Sequence, residues 1–197
     1  PNGADVQGEG PWARLQDADA IAQKACRLIE EMIERHAPVG AIGLDGQMHG
    51  VLYVDGAGRA ASPLATWQDG RGDLPLGEGS YASELIRLTG LHMATGFGLT
   101  THFWNLANGA VPEGARALAT IADYVGMRLT GRASPLMHAS NAAGIGLFDA
   151  AAGRWNAEAL CAAGIDLSIL PQVTGATGAI GDFRGIPVAA ALGDNQA

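Results

Sequence analysis

An amphipathic run that ends in proline and leads at once into a short apolar strand constrains this chain more than any other feature. From Asp17, a good N-cap, the residues Ile21, Ala25, Leu28, Ile29, Met32 and Ile33 recur at helical spacing until Pro38 closes the run. Beyond Gly40, Ala41 to Leu44 predicts a buried strand. The runs Gly50 to Val54 and Ala60 to Ala65 flank Asp55-Gly56-Ala57-Gly58, the turn chemistry of a hairpin. Residues 83 to 88, 101 to 109 and 115 to 130 predict helices, the last capped by Gly131. Ile145 to Phe148 and Ile186 to Leu192 predict strands on either side of a helix from Asn156 to Ala163, and residues 1 to 11 predict a loop. Helices alternating with short apolar strands specify an α/β fold rather than a bundle or a sandwich.

At 197 residues and 48% hydrophobic content, the chain can bury one sizeable core. Its 12 basic and 20 acidic residues give a net charge of −8, which argues against a nucleic-acid footprint or a polybasic membrane patch. Small molecules and proteins remain as partners, and a homodimer is compatible with this. Cys26 and Cys161 lie far apart in helical segments, so they suggest neither a disulfide framework nor a zinc site and fit a reducing cytoplasm. No apolar run approaches the ~18 residues that span a bilayer. The chain opens on Pro1 and stops directly after a strand-like run, so both ends read as internal to a longer protein.

In open α/β sheets ligands collect at the carboxyl ends of strands. Polar residues cluster at two such ends here, Asp45 to His49 and Asp194 to Gln196. Gly193 lets a ligand approach the backbone, and a lone carboxylate at Asp194 can accept a proton from an attacking hydroxyl. Gln47, His49, Asn195 and Gln196 are hydrogen-bonding groups suited to a polyhydroxylated ligand. Each also has a structural reading: Asp194 as a cap or turn former, His49 as a core histidine, Trp67 and Trp104 as core or cleft-wall aromatics, and Asp69 with Arg71 as a loop-pinning ion pair. Asp45 and Asp194 could also form a hydrolase's carboxylate pair, which needs a separation of roughly 5 to 9.5 Å. The histidines show no metal-ligand spacing.

Ala41-Ile42-Gly43-Leu44-Asp45-Gly46-Gln47-Met48-His49-Gly50, the hairpin after it, and Trp67-Gln68-Asp69-Gly70-Arg71 resemble the N-terminal domain of the FGGY carbohydrate kinases. Gly193-Asp194-Asn195-Gln196-Ala197 resembles that family's catalytic-aspartate segment, in the family's order and at about its separation. Within the family the sedoheptulokinases are most similar, at Leu64 to Arg71, Thr95-Gly96-Phe97-Gly98, Asp123-Tyr124-Val125 and Asn141-Ala142-Ala143, and the xylulokinases follow. Glycerol kinases carry an Arg-Glu pair where this chain has Met48-His49. Many members have a lysine where this chain has Thr101, so no role of that lysine carries over.

The resemblance implies a ribonuclease H-like fold of the actin and hexokinase type, with residues 1 to 197 as an incomplete N-terminal lobe of a two-domain sugar kinase. By the family's pattern, the first strands with their phosphate loop and the C-terminal nucleotide domain are absent from this chain, which alone should not turn over ATP. The implied reaction is phosphorylation of a sugar or polyol hydroxyl by ATP with Mg²⁺, for a ketose such as sedoheptulose or xylulose. Asp194 is then the general base, with Gln47, Met48, His49, Asn195 and Trp67 contacting the substrate. A non-catalytic sugar-binding or scaffold protein of the same descent is the alternative.

Overall fold

A computed structural model describes residues 3–194. Six α-helices occur among them: α1 (Ala18–His36), α2 (Tyr81–Thr89), α3 (Gly98–Ala107), α4 (Ile121–Thr130), α5 (Ala139–Ile145) and α6 (Ala157–Ala162). Short strands alternate with these helices, which gives the expected α/β architecture. None of the helices is long and apolar enough to cross a membrane.

The strand Leu52–Asp55 organises the packing. It pairs antiparallel with Ala115–Ala119, and Val51 and Val54 bridge to Ala65 and Ala60 to form the expected hairpin. Because side chains alternate along a strand, Leu52 and Val54 enter one core while Val51 and Tyr53 enter the other. The first core packs Ala18 and Ala22 of α1, Ile121, Tyr124 and Met127 of α4, and Val188. The second takes Leu85 of α2, Leu99 of α3, Ile145 of α5 and Leu160 of α6. Removing one of the buried leucine, isoleucine, valine or methionine side chains from water contributes about 1.5–3 kcal/mol.

Local signals start the helices where polar groups cap them. The Asp17 carboxylate accepts from the Ala20 N–H at 2.9 Å and opens α1 as expected. Thr120 and Asp123 form a reciprocal capping box at α4, and Gly131 closes it with φ +71°. Fully buried Tyr124 ties three elements together, since its hydroxyl donates to Asp19 at 2.6 Å and accepts from the Ala60 N–H at 3.1 Å.

The structure corrects several sequence expectations. The single helix predicted over residues 115 to 130 is a strand, Ala115–Ala119, followed by α4. Its alanines have helical propensity, but pairing with Leu52–Asp55 overrides it and the Thr120 cap sets the true start. Residues 1 to 11 do not form only a loop, because Asp5–Val6 pairs with Leu15–Gln16, which continues onto Leu64–Ala65. Ile145 closes α5 rather than opening a strand, and only Phe148–Asp149 is extended there. The run 186 to 192 is two strands, Ile186–Ala189 and Leu192–Gly193. Of Ala41 to Leu44, Ile42 makes a parallel bridge to Val188, and the strand proper is Asp45–Gly46.

Candidate active site

Two adjacent strand ends build the site. Leu192–Gly193 pairs in parallel with Asp45–Gly46, so the segments leaving both strands emerge side by side. The Asp194 N–H donates to the Gly46 carbonyl at 3.1 Å, extending the pairing by one residue. In return the Met48 N–H donates to Asp194 Oδ1 at 3.2 Å. The exposed Asp194 carboxylate is thus held at one oxygen and leaves Oδ2 for another partner.

The turn Gln47-Met48-His49 wraps around this carboxylate, with Gln47 and His49 half-buried. Met48 is only 4% exposed and contributes through its backbone, while its side chain fills the space between two glycines. A Cβ on Gly193 would lie 2.6 Å from Met48 Cγ, and one on Gly144 would lie 2.5 Å from Met48 Cε. Glycine at both positions is therefore what admits the methionine. His49 occupies left-handed backbone at φ +72°, where a residue without glycine's freedom is strained. Its ring is fixed twice over, stacked on Phe97 with centroids 4.7 Å apart and an interplanar angle of 5°, and hydrogen-bonded through Nδ1 to the Gly144 carbonyl. With Nδ1 donating to a carbonyl, the neutral form of the ring presents Nε2 as an acceptor, suited to a ligand hydroxyl.

Trp67 is 54% exposed at the tip of a neighbouring turn. Its carbonyl packs on Gly96, where a Cβ would come within 2.0 Å, and the next residue is the Phe97 that stacks on His49. The second polar cluster of the sequence supports this turn. Asp69 is fully buried and forms a bidentate pair with Arg71, Oδ1 to Nε at 2.7 Å and Oδ2 to Nη2 at 3.2 Å. The Arg71 guanidinium also donates to Asn105 and lies 5.3 Å from the Trp12 ring and 5.1 Å from the Trp104 ring. The ion-pair reading of Asp69 and Arg71 thus holds, and Trp104 is a wall for that arginine. A cavity of about 190 Å³ adjoins this network, lined by Trp12, Tyr53, Arg71, Thr101 and Asn105, and shares no residue with the Gln47–His49 turn or Asp194.

The structure therefore brings Gln47, Met48, His49 and Asp194 together, with Trp67 nearby through Gly96 and Phe97. Asn195 lies outside the described residues. Sequence reasoning did not assign Phe97 or Gly144 to the site. The glycines around Phe97 were the available signal, since they allow close backbone approach, but nothing in one sequence pairs them with His49. No group of three or more His, Cys, Asp or Glu side chains that could hold a metal ion occurs among the described residues.

Comparison with known proteins shows the family of the chain. Residues 4–197 match the N-terminal domain of the FGGY family of carbohydrate kinases. The sedoheptulokinase of Mus musculus is 34% identical over 95% of this chain and 44% of its own length. A glycerol kinase of Cereibacter sphaeroides is 32% identical over 94% of this chain and 41% of its own. The crystal structure of a xylulose kinase from Rhodospirillum rubrum superposes with a TM-score of 0.81 at 20% identity, covering 98% of this chain and 44% of that one, which shows the shared fold. The chain spans less than half the length of the relatives it matches. It belongs to the FGGY family of carbohydrate kinases, within that family's N-terminal domain.

Proposed function

We propose that this chain carries the sugar-binding side of an ATP-dependent kinase that phosphorylates a sugar or polyol hydroxyl, with Asp194 as general base and a ketose such as sedoheptulose or xylulose as acceptor. One observation supports this above the rest: a proton acceptor and a turn of neutral hydrogen-bonding groups leave adjacent parallel strands and are bonded to each other. In phosphoryl transfer the protein chiefly positions groups and balances charge. Asp194 Oδ2 accepts the hydroxyl proton as that oxygen attacks, while the Met48 N–H keeps Oδ1 fixed. His49 Nε2 and the Gln47 amide hold the other hydroxyls, and Trp67 closes one side. Asn195 would add a second hydrogen bond beside the base.

MgATP, when bound, supplies the phosphoryl group and neutralises its charge. The reading is tested in the protein with whatever sequence flanks these residues in its gene, by ADP release with sedoheptulose, xylulose, ribulose and glycerol. Asp194→Asn should lower kcat roughly 10²- to 10⁴-fold, and His49→Ala should mainly raise the sugar KM. Sugar binding with no ADP release from any acceptor would replace the kinase by a non-catalytic binding protein of the same fold.

A further inference from the structure

Two side chains at the start of α5 grip the segment that carries Asp194. Ser140 Oγ accepts the Gly193 N–H at 3.1 Å and lies 2.9 Å from His138 Nδ1. That same Nδ1 accepts the Ser140 N–H at 3.2 Å, so it carries no proton. The Ser140 hydroxyl therefore donates to His138, and its lone pairs are left for Gly193. One residue on, Asn141 is fully buried and its Nδ2 donates to the Ala191 carbonyl at 3.1 Å.

These bonds hold the strand on both sides of Leu192, at the carbonyl before it and the amide after it. The opposite edge is held by Gly46, which accepts the Asp194 N–H. Asn141 Oδ1 is buried without a hydrogen-bond partner among the described residues. An unsatisfied buried acceptor is destabilising, a cost that a leucine of similar volume would avoid. The amide is explained by the bond its nitrogen makes to the strand. At Gly193 the strand lies tight against this amide, since a Cβ there would lie 3.0 Å from Asn141 Oδ1.

We infer that Ser140 and Asn141 are positioning residues for the reaction, acting by fixing the Ala191–Gly193 backbone and so the direction of the Asp194 carboxylate. This rests on the reading of Asp194 as the base. A misplacement of about 1 Å at a reacting group can cost on the order of 10²-fold in rate.

The test uses the protein with its flanking sequence, sedoheptulose as acceptor and saturating MgATP, and compares Ser140→Ala, Ser140→Thr, Asn141→Leu, Asp194→Asn and the Ser140→Ala/Asp194→Asn pair. Ser140→Ala and Asn141→Leu should each lower kcat by about 10- to 100-fold with the sugar KM nearly unchanged. Ser140→Thr keeps the hydroxyl and should restore most of the rate. Ser140→Ala should add little to Asp194→Asn, because it acts through that carboxylate. Amide hydrogen exchange at Gly193 should quicken in Ser140→Ala, a readout that needs no turnover and is taken on variants whose melting shows them folded. Unchanged kcat in Ser140→Ala and Asn141→Leu, beside an inactive Asp194→Asn, overturns the positioning role alone. Full activity in Asp194→Asn overturns the base itself. If sedoheptulose is not phosphorylated, unchanged protection of Gly193 overturns the inference.

Discussion

Replacing Arg71 with methionine should be among the most damaging single changes available in this chain. The substitution keeps much of the side-chain volume but leaves Asp69, which has no exposed surface, without its counter-charge. Breaking a buried ion pair from one side costs about 3–5 kcal/mol, because the remaining carboxylate stays desolvated. Asp69 keeps the N–H groups of Arg14 at 3.1 Å and of Arg71 itself at 3.2 Å, which places the expected loss near the middle of that range, about 4 kcal/mol. For a protein of this size each kcal/mol moves the melting temperature by about 2–4 °C, so Tm should fall by roughly 8–16 °C. Circular dichroism melts and urea titrations measure this, with Asp69→Asn/Arg71→Met as the second variant. Removing both charges should lose less than the two single changes summed, by at least about 1 kcal/mol. An Arg71→Met protein within about 0.5 kcal/mol of the parent, the range of an ordinary surface change, would refute the argument.

Two further outcomes follow from the packing and the burial. Gly96→Ala places a Cβ at φ +81° against the Trp67 carbonyl and should cost at least about 2 kcal/mol while shifting Trp67 fluorescence; an unperturbed emission and urea midpoint would contradict the contact. Burial pushes the Asp123 carboxyl up to about 7 from 3.8, so between pH 4 and 7 the folded chain holds a proton that the unfolded chain lacks. Its contribution to stability therefore falls as pH rises through that window and is level above it. Burial pushes His102 down to about 4 from 6.5, so there the unfolded chain holds the extra proton and stability rises with pH from 4 to 6.5. The two slopes oppose each other below pH 6.5. Urea midpoints from pH 4 to 8 should show Asp123→Asn more stable relative to the parent as pH rises and His102→Gln more stable relative to it as pH falls; parallel curves would reject both assignments.

How far the sequence predicts the fold depends on whether local chemistry or distant pairing decides each element. Helix α1 is legible because its start, period and stop all lie within the segment: the Asp17 cap, the apolar recurrence and Pro38. The 56-to-58 hairpin is legible because its turn residues sit next to the strands they join. The run Ala115 to Ala119 fails for the opposite reason. Its residues favour a helix, and what makes it a strand is Leu52–Asp55, some sixty positions away. The same limit divides Ala189 from Leu192, where two strands look like one apolar run because their different partners are not encoded locally.

The candidate site follows the same division. Gln47, His49 and Asp194 stand out as polar residues after apolar runs, and parallel pairing of those runs is enough to bring them together. What holds them there was not legible. Phe97 stacks its ring under His49, Gly144 meets Nδ1 with its backbone carbonyl, and Ser140 and Asn141 reach backbone groups of the Asp194 strand, contacts between distant segments that no motif marks. Met48 shows the cost of reading side chains alone: its position between Gln47 and His49 suggests a substrate contact, whereas its thioether is buried between Gly144 and Gly193 and its amide reaches the carboxylate. A variant that preserves this amide while changing the thioether, such as Met48→Leu, should therefore disturb packing before it disturbs any proton transfer at Asp194.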